Sequence, residues 1–516
     1  MNRPIEPAEE LHVPYALRGC ATARPAGSSF VVLSNRAPYR HERLADGGIA
    51  TVRSASGLVT ALEPLVAACL GTWVAHAAGS ADVLCSDIRS PGVAGVNSPY
   101  RLRYVSLPGH VHRGFYDGFA NEGLWPLCHD VHVRPLFRAD DFRMYQIANA
   151  RFAAAAREAA GAGPAVVLVQ DYHFALAPRL LRGSASGATV VAFWHIPWPA
   201  ADVFRTCPWS RELLDGLLGS DIVGLQTLED CANFLACVEE AGLGSVDRRR
   251  SLVEYRQRST RVRAYPVGIE WTNAAVRGTP APPECRRLVR REFGLPSGVC
   301  LGIGVDRLDY TKGLTQKLVA IERLLEGYPQ WRDRFAFVQV AEPSRDHLPS
   351  YRAARADIVA ARDRINSRFG SGCFPPITLV ERHHDPEEVY RLYKAADLCY
   401  VGSLRDGMNL VAKEYVSART DERGVLVLSH RAGVSRQLAA ALLVNPSSVD
   451  ECAAALRCAL TMPAAEQSQR LRQMRAVVEK YDTFWWVRQI LRDAQSAQQD
   501  RTRQGPPTGA AWSSAG

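Results

Sequence analysis

Two cations stand five positions apart in GVDRLDYTKGL, residues 304–314: Arg307 and Lys312. They follow the apolar run VCLGIGV (299–305), which reads as a buried parallel strand. Fixed cations just past the carboxyl end of such a strand suit a bound diphosphate, since ligands of open parallel sheets collect there and charged donors hold phosphate oxygens strongly. The chain has five lysines against fifty-seven arginines, so a lysine here is not what composition supplies by default. Alone, the pair fits two solvated charges at a loop mouth equally well.

A second constellation follows in LRDGMNLVAKEYV (404–416), after the apolar run DLCYVGSL. Asp406 and Gly407 read as a turn, and Asn409 onward reads as the first turns of a helix. A strand, a tight turn and a helix N-terminus together favour an anion. Glu414 lies eight residues beyond Asp406, about two helical turns. Taken singly, Asp406 could be an ordinary helix cap and Glu414 a solvated acid.

Other polar groups emerge at strand ends. QDYHFALAP (170–178) places Asp171 and His173 after the run VVLV, and FWHIPWP (193–199) places His195 after another. A single histidine there is most simply a satisfied core residue; two in succession suggest a ligand-lined mouth. SNR (34–36) supplies Arg36, a glycine pair follows at Gly47–Gly48, YDGFANEGLWP (116–126) offers Tyr116 and Trp125, and QVAEPSR (339–345) ends in Arg345.

These residues need a frame that presents strand ends. Short β-branched runs at 29–36, 166–169, 187–194 and 220–225 alternate with helical stretches at 147–160 and 210–218. A second series has strands at 299–305, 335–341, 377–381, 397–402 and 424–429, with a long helix over 350–367 and terminal helices over 465–495. Both series are βαβ in rhythm, so the fold class is α/β with two doubly wound parallel sheets. Residues 1–27 read as a disordered leader, 28–268 as the first domain, 269–495 as the second and 496–516 as a disordered tail. GTPAPPE (278–284) reads as a linker.

At 516 residues, 47% hydrophobic and 22% charged, the chain can bury a large core without staples. Its net charge of +9 is spread in short clusters, with no basic stretch carrying interleaved aromatics. That argues against a nucleic-acid partner and suits phosphorylated small molecules. Thirteen cysteines stand singly with no C-x-x-C, which predicts free thiols and a cytoplasmic setting. No apolar run is long enough to cross a bilayer, so no membrane partner is expected. A homo-oligomer is allowed.

In order and spacing, SNRAP, GLWPLCHD, QDYH, HIPWP, RLDYTKG, RDGMNLVAKEY and GVLVLS resemble the trehalose-6-phosphate synthases, retaining glycosyltransferases of family 20, over roughly residues 29–490. The resemblance implies GT-B architecture: two facing Rossmann-like domains with the active site in the cleft between them. It implies glucose transfer from a nucleotide sugar, UDP-glucose by family habit, to glucose 6-phosphate. By position, Arg307 and Lys312 would hold the donor diphosphate, Asp406 the donor glucose hydroxyls, and Glu414 the ribose. The backbone from Gly407 through Met408 and Asn409 to Leu410 would approach sugar and phosphates, with His195 and Gly48 also on the donor. Arg36, Tyr116, Trp125, Asp171 and Arg345 would grip the acceptor. The catalytic set would be Arg307, Lys312, Asp406 and His195, with no cofactor and no metal; no D-x-D occurs in the chain.

The chain departs from the family pattern at SHRAGVSRQL (429–438), where His430, Arg431 and Gln437 replace acidic or apolar residues, and at Gly402-Ser403. Two alternatives stand beside the first reading. One is a transferase of the glucosylglycerol-phosphate type with another phosphorylated acceptor. The other is a non-catalytic sugar-phosphate sensor, against which intact Arg307, Lys312 and Asp406 argue.

Overall fold

The computed structural model describes residues 28–53, 57–87, 100–182, 187–271, 273–370 and 372–504. Contacts divide the chain into two compact units. The first contains, in chain order, β1 (Ser29–Leu33), β2 (Tyr39–Arg43), β3 (Ile49–Arg53), β4 (Thr72–His76), β5 (Arg101–Val105), β6 (Ala165–Gln170), β7 (Thr189–Phe193), β8 (Ile222–Leu225), β9 (Ser245–Asp247), β10 (Leu252–Tyr255) and β11 (Arg258–Ala264). Nine of these form one sheet in the order β5-β4-β1-β6-β7-β8-β11-β10-β9, while β2 and β3 make a separate hairpin. From β5 through β11 the neighbours are parallel; β10 and β9 add antiparallel edges. Every residue of AVVLVQ in β6 and TVVAF in β7 is buried, the continuous apolar pattern of strands covered on both faces.

The second unit contains β12 (Cys300–Arg307), β13 (Phe335–Glu342), β14 (Ile377–Val380), β15 (Leu398–Val401), β16 (Val425–Ser429) and β17 (Leu442–Val444). They form an all-parallel sheet in the order β14-β13-β12-β15-β16-β17. The helix Leu314–Gly327 packs Leu318, Ile321 and Leu325 into a core with Phe335 and Phe337 of β13 and Val427 of β16. Both sheets are therefore doubly wound α/β, as expected. Strand order reverses between β1 and β6 in the first unit and between β12 and β15 in the second. These reversals mark where ligands of such sheets bind.

Several details differ from the sequence reading. The stretch 278–284 is no loose linker: Gly278 closes the helix Ala274–Gly278, and Pro282 opens the helix Pro282–Glu292, where its missing N–H is not needed. Lys394 Nζ donates to the carbonyls of Val276, Thr279 and Pro280 at 2.8, 2.9 and 3.2 Å and pins that connection. The first unit breaks off at Tyr265, not 268, and His129–Arg134 groups with the second. The helix Thr483–Gln504 runs through the expected boundary at 495, so 496–504 is helical rather than a tail, and from Trp486 onward the chain belongs to the first unit. The physical reason is Trp486: fully buried, it donates from Nε1 to the Tyr265 carbonyl at 3.1 Å and meets Phe193 edge-on. The expected leader 1–27 and residues 505–516 lie outside the described residues. Among the described residues, no helix is long and apolar enough to cross a membrane, and the cysteines are free.

Candidate active site

In the second unit, the chain leaving β12 turns at Tyr310–Lys312 before entering the helix Leu314–Gly327. Asp309 makes that turn: its Oδ1 accepts from Thr311 N at 3.0 Å and from Thr311 Oγ1 at 2.9 Å. Gly313 follows with φ 62°, and a Cβ there would lie 2.3 Å from the Gly402 carbonyl oxygen. Only glycine lets the loop after β12 touch the loop after β15. The closeness brings Lys312 to Asp406, Nζ to Oδ2 at 2.5 Å, with both side chains about one-eighth exposed. Asp406 Oδ2 also accepts from Asn409 Nδ2 at 3.1 Å and Ser403 Oγ at 3.2 Å. Burial alone would raise the Asp406 carboxyl; the ammonium of Lys312, with help from His129, carries it below its ordinary value. Asp406 is thus an ionised group poised beside a cation.

The helix Leu410–Ala418 is capped by Asn409, not Asp406: Asn409 Oδ1 accepts from Ala412 N at 3.1 Å, with φ 79°. That frees the Asp406 carboxylate from capping. Gly407 and Met408 are buried in the turn between them. Backbone bonds from Asp406 N to the Arg431 carbonyl and from Gly433 N to the Asp406 carbonyl hold the loop, and Arg431 Nε donates to the Leu404 carbonyl at 2.8 Å. Arg431, one of the departures from the family pattern, therefore buttresses this loop. Glu414, further along the helix, is half-buried; burial raises its carboxyl, and Tyr393 Oη donates to it at 3.2 Å.

Arg345 leaves β13 with φ 48°, a conformation rare for a long side chain. Its Nη1 donates to Tyr351 Oη at 2.6 Å and lies 4.0 Å from Asp309 Oδ2. The second unit thus gathers Arg307, Lys312, Arg345 and Asp406 at the ends of three strands. Sequence reasoning missed Asp309, Tyr351 and His129. The signal for Asp309 was in hand: an acid inside a run read only for its cations.

In the first unit, Asp171 follows β6 with φ 71°, and its Oδ1 accepts from Tyr172 N and His195 N, both at 3.0 Å. It ties the loops after β6 and β7 together. His195 Nε2 bonds the Gln170 side-chain amide at 2.7 Å. Burial lowers the His195 imidazole to about 3, so it is neutral. Tyr116 belongs to a π-helical segment, Arg113–Leu124, and is stacked between His112 (5.3 Å, 20°) and His173 (5.5 Å, 10°). Trp125 is buried against Tyr172, whose hydroxyl donates to Asn121 Oδ1 at 2.8 Å. Arg36 stands exposed beyond β1, and Gly48 closes the tip of the β2–β3 hairpin, its N–H donating to Asp46 Oδ1 at 2.9 Å. Among the described residues, no hydrogen bond or ion pair joins Arg36 or Gly48 to the Asp171 group. Nor does any group of three His, Cys, Asp or Glu among them have the arrangement of a metal site.

Residues 28–496 match the sequence profile of glycosyltransferase family 20. The chain is 39% identical over 484 residues to a trehalose-6-phosphate synthase of Mycobacterium avium, covering 92% of this chain and 96% of that one. Among solved structures, an α,α-trehalose-phosphate synthase (UDP-forming) from Burkholderia xenovorans in complex with glucose-6-phosphate superposes with a TM-score of 0.78 at 30% identity, covering 90% of this chain and all of the other. An E. coli structure described as trehalose-6-phosphate bound with UDP-2-fluoro glucose gives 0.79 at 30% identity, covering 91% and 99%.

Proposed function

The chain belongs to glycosyltransferase family 20, and from that premise we propose that it moves glucose from UDP-glucose to glucose 6-phosphate, releasing UDP and α,α-trehalose 6-phosphate. The observation that carries the reading is the cation group at the strand-order reversal of the second unit, where Arg307, Lys312 and Arg345 converge beside the N-terminus of the helix Leu410–Ala418. Such a place suits phosphates, a nucleoside diphosphate at Arg307 and Lys312 and an acceptor phosphate at Arg345, and UDP is named for both solved relatives.

Arg307 and Lys312 take up the charge that grows on the diphosphate as the bond from glucose C1 to the phosphate oxygen breaks. Lys312 exchanges its bond to Asp406 for the phosphate, which leaves the Asp406 carboxylate to accept from glucose hydroxyls. Glu414, held by Tyr393, receives the ribose hydroxyls. The backbone of Gly407, Met408, Asn409 and Leu410 lies along sugar and phosphates. His195, being neutral, orients a donor hydroxyl rather than carrying charge, and Gly48 permits close approach of phosphate. Arg36, Tyr116, Trp125, Asp171 and Arg345 bind the acceptor. Its anomeric hydroxyl adds to C1 from the side the diphosphate leaves, and its proton passes to the departing phosphate oxygen. No step calls for a metal. Free, mostly buried thiols support a cytoplasmic setting.

The test is nucleoside diphosphate release from UDP-, GDP- and ADP-glucose, with glucose 6-phosphate, glycerol 3-phosphate or glucose as acceptor, in excess chelator. We expect release from UDP-glucose with glucose 6-phosphate, and a product whose NMR spectrum shows the α,α linkage. Transfer to glycerol 3-phosphate alone, or no transfer at all, overturns the reading in favour of the other acceptor or the sensor. Activity lost to the chelator and restored by a divalent ion overturns the metal-free route.

A further inference from the structure

Asp309 stands in the middle of the second unit's cations and is entirely buried. Its two oxygens have different tasks. Oδ1 is committed to the turn through Thr311 N and Thr311 Oγ1. Oδ2 accepts from Tyr351 Oη at 3.3 Å, and the same hydroxyl accepts from Arg345 Nη1 at 2.6 Å. Tyr351 therefore relays the Asp309 charge to Arg345, which also lays its guanidinium over the tyrosine ring at 5.6 Å. Burial raises the Tyr351 hydroxyl far above its ordinary value, so it keeps the proton it donates. Burial alone would raise Asp309 as well, but Arg307, Arg345 and Lys312, in that order, bring it below its ordinary value. Asp309 is an anion facing three cations.

Three like charges converging on one spot repel. Asp406 pairs with Lys312 alone, so without Asp309 the group would lose the buried charge that faces all three, and an incoming phosphate would have to reassemble them. A group that must reorganise during the reaction stabilises the transition state less than one already in place. Lys312 is tied to Asp309 through the chain itself: Asp309 caps the turn that carries Lys312, whose N–H donates to the Asp309 carbonyl at 3.0 Å.

We propose that Asp309 is the positioning residue of this site: its buried carboxylate, with Tyr351 as relay, sets Arg307, Lys312 and Arg345 in one arrangement before either phosphorylated substrate arrives. Asp309 touches no substrate and acts only through the cations. The inference rests on the reaction proposed above for its acceptor half, but its donor half needs only a nucleoside diphosphate.

Two variants separate charge from scaffold. Asp309→Asn keeps a carbonyl oxygen to cap the turn and removes the anion. Tyr351→Phe keeps the ring under Arg345 and removes the relay. Initial rates with both substrates varied, normalised to folded enzyme, are expected to show Asp309→Asn losing ~100-fold in kcat/KM for donor and acceptor alike. Tyr351→Phe is expected to raise the acceptor KM ~10-fold while UDP affinity by calorimetry stays within about twofold. A merely structural role would lower the yield of folded protein and leave both KM values per folded enzyme unchanged. Folded Asp309→Asn enzyme with kcat and both KM values within about threefold of the parent overturns the proposal. Should Asp309→Asn not fold, an unchanged acceptor KM in Tyr351→Phe overturns it. If the parent itself makes no trehalose 6-phosphate, the reaction assignment fails instead. UDP calorimetry on the parent and Asp309→Asn then decides the positioning role, equal affinities refuting it.

Discussion

The two strand-order reversals are built from different materials. In the second unit, the ends of β12, β13 and β15 carry Arg307, Lys312 and Arg345 with the aspartates Asp309 and Asp406 and a capped helix start. In the first unit, the loops after β6 and β7 carry a neutral imidazole, a ring stacked on Tyr116 and one aspartate whose Oδ1 accepts from two backbone N–H groups. One site is arranged by charge on charge, the other by ring stacking and neutral hydrogen bonds. The difference matches what each would hold. A diphosphate has charge to be neutralised, whereas a hexose offers hydroxyls and flat apolar faces that ask for shape. A charged site fails steeply when one member is lost, because the partner is left buried and unpaired; a stacked site fails gently.

The comparison breaks most visibly at Lys312. Lys312→Ala and Arg307→Ala should each lose about 2–4 kcal/mol of transition-state stabilisation, read from kcat/KM, as expected for loss of a preorganised donor. Turnover by both variants within a few-fold of the parent would mean the second unit is not organised by charge. A smaller effect concerns stability. Lys413 is fully buried with Nζ donating to the Val267 carbonyl at 2.7 Å, and burial brings it from 10.5 down to about 7. Between those values the unfolded chain binds a proton that the folded one does not, so stability should rise with pH across that window. Lys413→Met should remove about 1–3 kcal/mol of that rise, measured by denaturant unfolding from pH 7 to 10. An unchanged slope would show that Lys413 does not titrate there. The smallest effect belongs to the first unit. His112→Leu removes one face of the stack on Tyr116 and should cost about 0.5–1.5 kcal/mol, seen as a modest rise in acceptor KM. A loss as large as that of Lys312→Ala would abolish the contrast between the two sites.

Most of what positions the chemistry was legible in the sequence. Buried parallel strands leave long β-branched runs, and β1, β6, β7, β8 and all but the short β17 of the second sheet were found that way. What escaped has identifiable causes. TWVAH of β4 and RLRYV of β5 are short and carry polar or charged residues, so they lack the continuous apolar signature. Residues 113–124 wind with a wider period than an α-helix, which hides their periodicity. Pro282 reads as a breaker in sequence and acts as a helix starter in space. The cap at Asn409 and the role of Asp309 depend on which polar atoms meet after folding, which spacing alone does not reveal. Asp171, Arg345 and Asn409 all lie at positive φ, a strain invisible in residue type.

The helix Thr483–Gln504 bears on how the protein is made. Its residues complete the first unit: Asp493 accepts from the Tyr265 hydroxyl at 2.5 Å, Arg501 Nη1 donates to the Ala188 carbonyl at 2.8 Å, and Trp486 sits under Phe193. A ribosome adds ~5–20 residues per second, and domains generally fold as units in the order they emerge. Here the amino-terminal sheet waits for more than two hundred residues of the second unit before its last wall arrives. The interval exposes Phe193 and the flank of Tyr265 for ~10–40 seconds, a window in which a nascent chain is open to chaperones and to premature association. A nonsense mutation near Trp486 would therefore damage the part of the protein synthesised first.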